Sequence, residues 1–220
     1  MRASLADLRD RAYAAADMAT LGRTQFIPPS EANALVNESV ADLYDMLVSR
    51  AEDYFVRSAT LEATGDGETW RLPDDLYKLR AVYVDGASVE PYTESQREHA
   101  ASGSTPRYAL AGEGISVLPA NGAGAVTLRY VPQAPQLHRD ADTLSLAFAA
   151  GWDAYVVYDV AAKMRIKAKQ DASALQARAD RAQARILQMA AQRDSGRPRQ
   201  VRDVYGFAPL THARRMWGFM

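Results

Sequence analysis

The sequence predicts an α+β protein: an antiparallel helical bundle with an inserted small antiparallel β domain and an extended C-terminal arm. Three observations predict it. Apolar residues recur at helical spacing near the N-terminus and again beyond residue 152. Between Tyr54 and Val131 the period falls to two, and six of the ten prolines lie between Pro73 and Pro135. After Gly196 neither period persists. The expected divisions are N-terminal helices over 1–53, a β domain over 54–135, C-terminal helices over 136–196 and a docking arm over 197–220.

Residues 3–20 form an Ala-rich helical segment whose narrow apolar face, Leu5, Leu8 and Tyr13, needs a neighbour. Pro28-Pro29-Ser30-Glu31 starts a second helix, with Ser30 as N-cap and an acid in the first turn. Val36, Val40, Leu43 and Leu47 then lay an apolar stripe along it, while Asp42, Asp45 and Glu52 fall off the stripe and face water.

From Tyr54 to Ala63 the residues alternate, Gly65-Asp66-Gly67 supplies a turn, and Thr69–Leu72 resumes an extended pattern, which reads as a hairpin. Pro73 ends it, and Asp74 or Asp75 caps a short helical turn reaching Leu79. Val82–Val84 is a strand closed by Asp85-Gly86. A short helix or loop follows between Glu94 and Ala101, then strands at Tyr108–Ala111, Ile115–Leu118 and Val126–Val131, separated by glycines and prolines.

Gly151 and Gly196 bracket 44 residues without Gly or Pro, 12 of them Ala, a strong helical pattern. Trp152, Tyr155, Val156, Val160 and Met164 make one apolar face, and Leu175, Ala179, Ala182, Ile186 and Met189 another. One unbroken rod of that length would reach roughly 66 Å. A break near Lys169–Ser173 with Asp171 as cap, giving two antiparallel helices, is therefore expected.

The tail interleaves Arg197, Arg199, Arg202, Arg214 and Arg215 with Tyr205, Phe207, Trp217 and Phe219. Such a tail cannot bury its rings on itself, and Arg and aromatic residues dominate binding hot spots. These nine residues are expected to form a docking arm that completes its fold on another surface.

Composition narrows the chemistry. With 48% apolar and 24% charged residues in a chain of 220, the protein has the make-up of an ordinary globular one. No cysteine is present, which excludes disulfides, thiolate metal sites, iron–sulfur clusters and a cysteine nucleophile. The longest uncharged stretch, Gly114 to Leu128, is 15 residues and broken by Gly and Pro, too short to span a bilayer. Met1–Asp7 meets an acid before any apolar run, so a secretory signal is not expected and the chain reads as soluble and made in the cytoplasm.

His99, His138 and His212 lie far apart, and Glu94, Glu98 and His99 are too few to make a supported metal shell. Asp74-Asp75 and Asp140-Ala141-Asp142 sit at turns, where capping explains them better than paired acid–base chemistry. Gly112-Glu113-Gly114 and Gly122-Ala123-Gly124 lack the following helix of a phosphate loop, and no hydrolase elbow occurs. Trp152, Tyr155 and Tyr158 read as core. No catalytic residue, cofactor or metal is expected, and the chain is not expected to be an enzyme.

The net charge of −1 hides an asymmetry: residues 1–162 carry 13 Lys/Arg against 23 Asp/Glu, and residues 163–220 carry 13 against 4. In a homo-oligomer the basic part of one subunit can meet the acidic part of the next, or the two can screen each other within one subunit. Lys163, Arg165, Lys167, Lys169, Arg178, Arg181 and Arg185 spread around their helices, and no helix-turn-helix accompanies them. Only non-specific phosphate contact fits them.

Taken in order, the two helices, the hairpin ending in Leu72-Pro73-Asp74-Asp75, the strand Arg80–Gly86, Pro106-Arg107-Tyr108, Ile115–Pro119, Val126–Tyr130 and the Tyr-rich helix resemble a tailed-bacteriophage head-to-tail connector, or portal adaptor, over roughly residues 28–195. The resemblance implies a structural virion protein of the neck, assembled in the bacterial host cytoplasm into a homo-oligomeric ring of twelve. It implies a portal protein above, a downstream tail or nozzle protein below, and double-stranded DNA passing through the lumen without sequence-specific binding, with no membrane partner. A closed ring uses heterologous contacts, which an acidic body and a basic C-terminal segment would supply. The competing expectations are a small basic-tailed DNA-associated helical protein and, behind it, a cytoplasmic enzyme with a dispersed site.

Overall fold

Pro28 and Pro29 set the entry of the longest helix. The computed structural model describes residues 3–18, 26–62, 69–112, 114–119, 124–144 and 152–190. Helix α1 spans Leu5–Ala15 and α2 Pro29–Ala51. Pro29 takes the first helical position, where its fixed φ fits and its missing N–H costs nothing, so Pro28 rather than Ser30 occupies the N-cap. The stripe Val36, Val40, Leu43 and Leu47 is buried as expected. Ser4 caps α1, its Oγ accepting from the Asp7 N–H at 3.2 Å. The helix closes with Asp17 in the left-handed region (φ 58°), Met18 N donating to Tyr13 O and Asp17 N to Ala14 O, the two bonds of a Schellman ending.

After a 3₁₀ turn over Glu52–Phe55 come β1 (Arg57–Thr60), β2 (Thr69–Arg71), β3 (Leu76–Val84), β4 (Ala87–Pro91), α3 (Arg97–Ser102), β5 (Arg107–Ala111), β6 (Gly114–Leu118) and β7 (Val126–Pro132). They form one seven-stranded sheet in the order β1-β7-β3-β4-β5-β6-β2. The hairpin expected around Gly65–Gly67 does not pair with itself: β1 joins β7 and β2 joins β6, at opposite edges of the sheet. Nor does a helical turn follow Asp75. The run Leu76–Val84 is instead a nine-residue strand laid along β7 through two register shifts, since its apolar and aromatic residues find cross-strand partners there.

Asp85 and Gly86 close the β3–β4 hairpin with φ 50° and 82°, the pair of positive values that a two-residue type I′ turn requires. From β4 the chain turns through a 3₁₀ segment at Glu94–Gln96 and α3, and β5 returns parallel to β4. A parallel neighbour needs such a crossover. The sheet is therefore mixed, and the all-antiparallel expectation fails at this step.

The sheet also curls. In a flat sheet β7 and β2 would stand about 24 Å apart, five spacings of ~4.8 Å. Yet Trp70 of β2 and Val126 and Leu128 of β7 belong to one continuous apolar core with Val82, Val84, Ile115 and Val117. The result is a half-barrel with an interior of its own.

Helices α4 (Asp153–Lys167) and α5 (Ser173–Ala190) break where expected, and Asp171 Oδ1 accepts from Ser173 N at 2.9 Å. Lys169, at φ 56°, ends α4 with a second Schellman pair. Helix α4 packs against α1, α2 and α5. These helices do not close a bundle on themselves, because their shared core includes Val131 from β7 and Leu137 and Leu144 from the segment after it. The expected architecture, an antiparallel bundle carrying a small antiparallel insert, is thus corrected: the described residues form five α-helices with a curled, mixed, seven-stranded half-barrel. The expected arm over 197–220 lies outside the described residues.

Candidate functional site

The nine residues expected to dock, Arg197, Arg199, Arg202, Tyr205, Phe207, Arg214, Arg215, Trp217 and Phe219, lie outside the described residues, so the site is built here from what the described surface offers. Among the described residues no three His, Asp or Glu side chains are grouped to hold a metal, and no helix is long and apolar enough to cross a membrane. The acidic pairs are used structurally. Asp142 Oδ2 accepts from the backbone N–H groups of His138 and Arg139 at 2.8 and 2.9 Å, and those two bonds hold its carboxyl below the usual range. Asp140 faces Arg9 at 2.8 Å, and Asp75 accepts from the Tyr130 hydroxyl at 2.9 Å. Glu94 pairs with Arg97 rather than turning toward His99.

Trp152 and Tyr155 are buried in the helical core. Burial pushes the Tyr155 hydroxyl up to about 12. Tyr158 is half-buried and carries the Arg178 guanidinium 5.5 Å above its ring.

The basic residues of α4 cross to the acids of the N-terminal helices. Lys163 sits among Glu38 (2.9 Å), Asp42 (3.3 Å) and Asp159 (2.9 Å), with the buried Ser39 hydroxyl donating to Asp159 at 2.6 Å. Arg165 reaches Asp17 and the Ala16 carbonyl at the end of α1, and Lys167 reaches Glu31 at the start of α2. This part of the charge asymmetry is screened inside one subunit. Arg178, Arg181 and Arg185 behave differently: spaced three and four apart on α5, they share one exposed stripe, and none forms an ion pair with a described residue.

Where the helices meet the half-barrel, a groove of about 520 Å³ opens between the end of α2 and the segment after β7. Tyr44, Tyr54, Phe55 and Val56 line it together with Pro132, Ala134 and Pro135, and Arg57, Asp74 and Asp75 add charge to the lining. Its floor is rigid. Tyr44 meets Phe55 edge to face at 5.1 Å and donates its hydroxyl to Pro132 O at 2.6 Å. Burial pushes that hydroxyl up to about 12. Tyr54 is 45% exposed, and Tyr77 next to Tyr44 is 50% exposed. The groove and the Lys163 nest both escape a reading of the sequence, because each joins residues from segments 80 or more positions apart. The one local hint was the density of proline at 132 and 135 beside aromatic residues.

No curated protein matches the chain. The family model described as SU10 adaptor protein matches residues 3–204, nearly the whole sequence. The chain belongs to this family, a family of structural head–tail adaptors of phages.

Proposed function

We propose that this member of the SU10 adaptor protein family is a neck component that forms a closed ring, of twelve copies, beneath a phage portal. The ring extends the DNA channel and offers a lower face to the next tail or nozzle protein. Duplex DNA passes through without sequence-specific contact. The chain acts in the virion and reaches it by assembly in the host cytoplasm. Residues 197–220 are the arm that grips the portal or the neighbouring copy.

The observation that carries this reading is the family match over residues 3–204. Two features of the fold agree with it. The described polar clusters are spent on holding the fold, as at Asp142 and Lys163. The α5 arginines remain directed at solvent, which gives each copy a basic face distinct from the acid-rich N-terminal helices. A ring needs two such unlike faces.

Mass measurement across a range of concentrations, alone and with the cognate portal, tests the reading. A ring that forms in either setting supports it. Truncation after Gly196 is expected to leave the described fold and abolish assembly. A chain that stays monomeric with the portal and binds free duplex with steep salt dependence would instead be the DNA-associated protein.

A further inference from the structure

The groove at the helix–sheet junction brings aromatic rings, prolines and two exposed Asp–Arg pairs together. We propose that it is the seat of the C-terminal arm, residues 197–220, of a neighbouring copy, an inference that rests on the ring reading above.

The chemistry of the two surfaces is complementary. The groove is lined by the half-exposed Tyr54, by Phe55, and by Pro132 and Pro135. Flat, rigid walls of this kind accept a ring by stacking with little loss of side-chain freedom. The arm carries Tyr205, Phe207, Trp217 and Phe219 for such a slot. At 520 Å³ the recess falls within the range of sites that enclose a few side chains.

Charge points the same way. Asp74 and Asp75 line the groove, Asp75 with Arg57 Nη1 at 3.8 Å and Asp74 with Arg71 at 2.9 Å, both pairs exposed enough for an incoming arginine to compete for the carboxylates. Asp75 is held in place by the Tyr130 hydroxyl, while the Asp74 side chain is 86% exposed and, among the described residues, bonded to Arg71 alone. The arm brings five arginines against one aspartate. An arginine fork meeting a pre-oriented carboxylate at the edge of an aromatic slot is the pairing that gives interfaces their hot spots.

The occupant is a second copy because a closed ring requires each subunit to present two different surfaces. An arm and a groove that receives it are such a pair. Twenty-four residues in extended form reach up to about 80 Å, enough to cross to a neighbour.

The chain has no cysteine, so engineered ones report without background. One full-length variant carries Gln133→Cys at the exposed groove rim. Three others carry Gly206→Cys, Thr211→Cys or Gly218→Cys in the arm. Each arm variant is mixed with the rim variant, assembled, and oxidised, with mass measurement confirming the ring beforehand. The expected result is a covalent dimer of one rim chain and one arm chain for at least one pair, in several-fold excess over either variant alone, and a ladder up to the ring when one chain carries both cysteines. Rings without any mixed dimer overturn the groove assignment and leave the ring reading standing. A cross-linked monomer from the double variant, with no mixed dimer, shows the arm folding onto its own groove and also overturns it. Failure to form rings with portal present removes the underlying reading itself.

Discussion

Asn37 on α2 holds both backbone polar groups of Leu137. Its Nδ2 donates to the Leu137 carbonyl at 3.0 Å, and its Oδ1 accepts from the Leu137 N–H at 2.8 Å. One side-chain amide thus pairs with the Leu137 backbone as a neighbouring strand would, and clamps residues 133–144 across the helices. The same segment meets α1 through Leu5 N to Asp142 O at 2.8 Å and Leu144 N to Ala3 O at 2.9 Å. Replacing Asn37 by Ala leaves a part-buried donor and acceptor unpaired, each costing about 1–3 kcal/mol. Asn37→Ala is expected to lower the unfolding free energy by about 2–3 kcal/mol in denaturant titration. Asn33→Ala, which removes only a 3.2 Å acceptor for Arg9, is expected to cost about 0.5 kcal/mol. Equal losses for the two would show that the clamp carries no special weight.

Lys163 stands among three carboxylates at 24% side-chain exposure. Burial works against its charge, but the bonds to Glu38 and Asp159 outweigh that, and its pKa is raised. A raised folded value means the stabilisation is complete below the ordinary lysine range and is lost only as pH climbs through the raised one. Lys163→Met therefore costs stability by a constant amount between pH 5 and pH 9, about 1–2 kcal/mol once solvent screening is allowed for. Denaturation curves at pH 5, 7 and 9 check it. A gap that closes by pH 9 would contradict the assigned partners.

Acid acts through other residues. The carboxyls of Asp140, held by Arg9, of Asp142, held by the Arg139 and His138 N–H groups, and of Asp171, held by Ser173, all lie below their ordinary values. Depressed values contribute stability above the unfolded range, near pH 4, and lose it as pH falls through the folded ones. Near-ultraviolet circular dichroism during acid titration is expected to fall below about pH 4. The Asp142→Asn chain is expected to be less stable at neutral pH and to show a shallower dependence on pH between 5 and 3. An unchanged slope would remove Asp142 from the account.

What the sequence shows of this fold is what depends on near neighbours. The break between α4 and α5 was legible because Asp171 bonds a residue two positions away, and the α2 stripe because helical period is local. The destination of β2 was not. Gly65-Asp66-Gly67 has the chemistry of a hairpin turn, yet Trp70 faces Ile115 on β6, and only the interior of a curled sheet rewards that pairing. The parallel return of β5 is likewise set by the turn at Glu94–Ser102, which fixes direction without marking it in the pattern. At the candidate surfaces, the charge asymmetry was visible as a count. Its division into an internal part, at Lys163, Arg165 and Lys167, and an external part on α5 required positions in space.

That division makes the last prediction specific. If the exposed stripe of α5 meets acidic groups of a neighbouring copy, reversing it must weaken assembly without weakening the fold. Arg178 stacks on Tyr158 and so also supports its own subunit, which leaves Arg181 and Arg185 as the cleaner probes. Exposed substitutions away from packing contacts typically change stability by about 0.5 kcal/mol or less. Arg181→Glu with Arg185→Glu is therefore expected to keep the thermal midpoint within about 2 °C. The concentration for half-assembly is expected to rise at least tenfold, since like charges replace attraction across the contact. Raising salt should weaken the wild-type ring and partly restore assembly of the doubly reversed chain, because screening removes an attraction in the one and a repulsion in the other. Assembly unchanged by the reversal, measured by mass at matched concentrations, would assign the stripe to another surface than the one between copies.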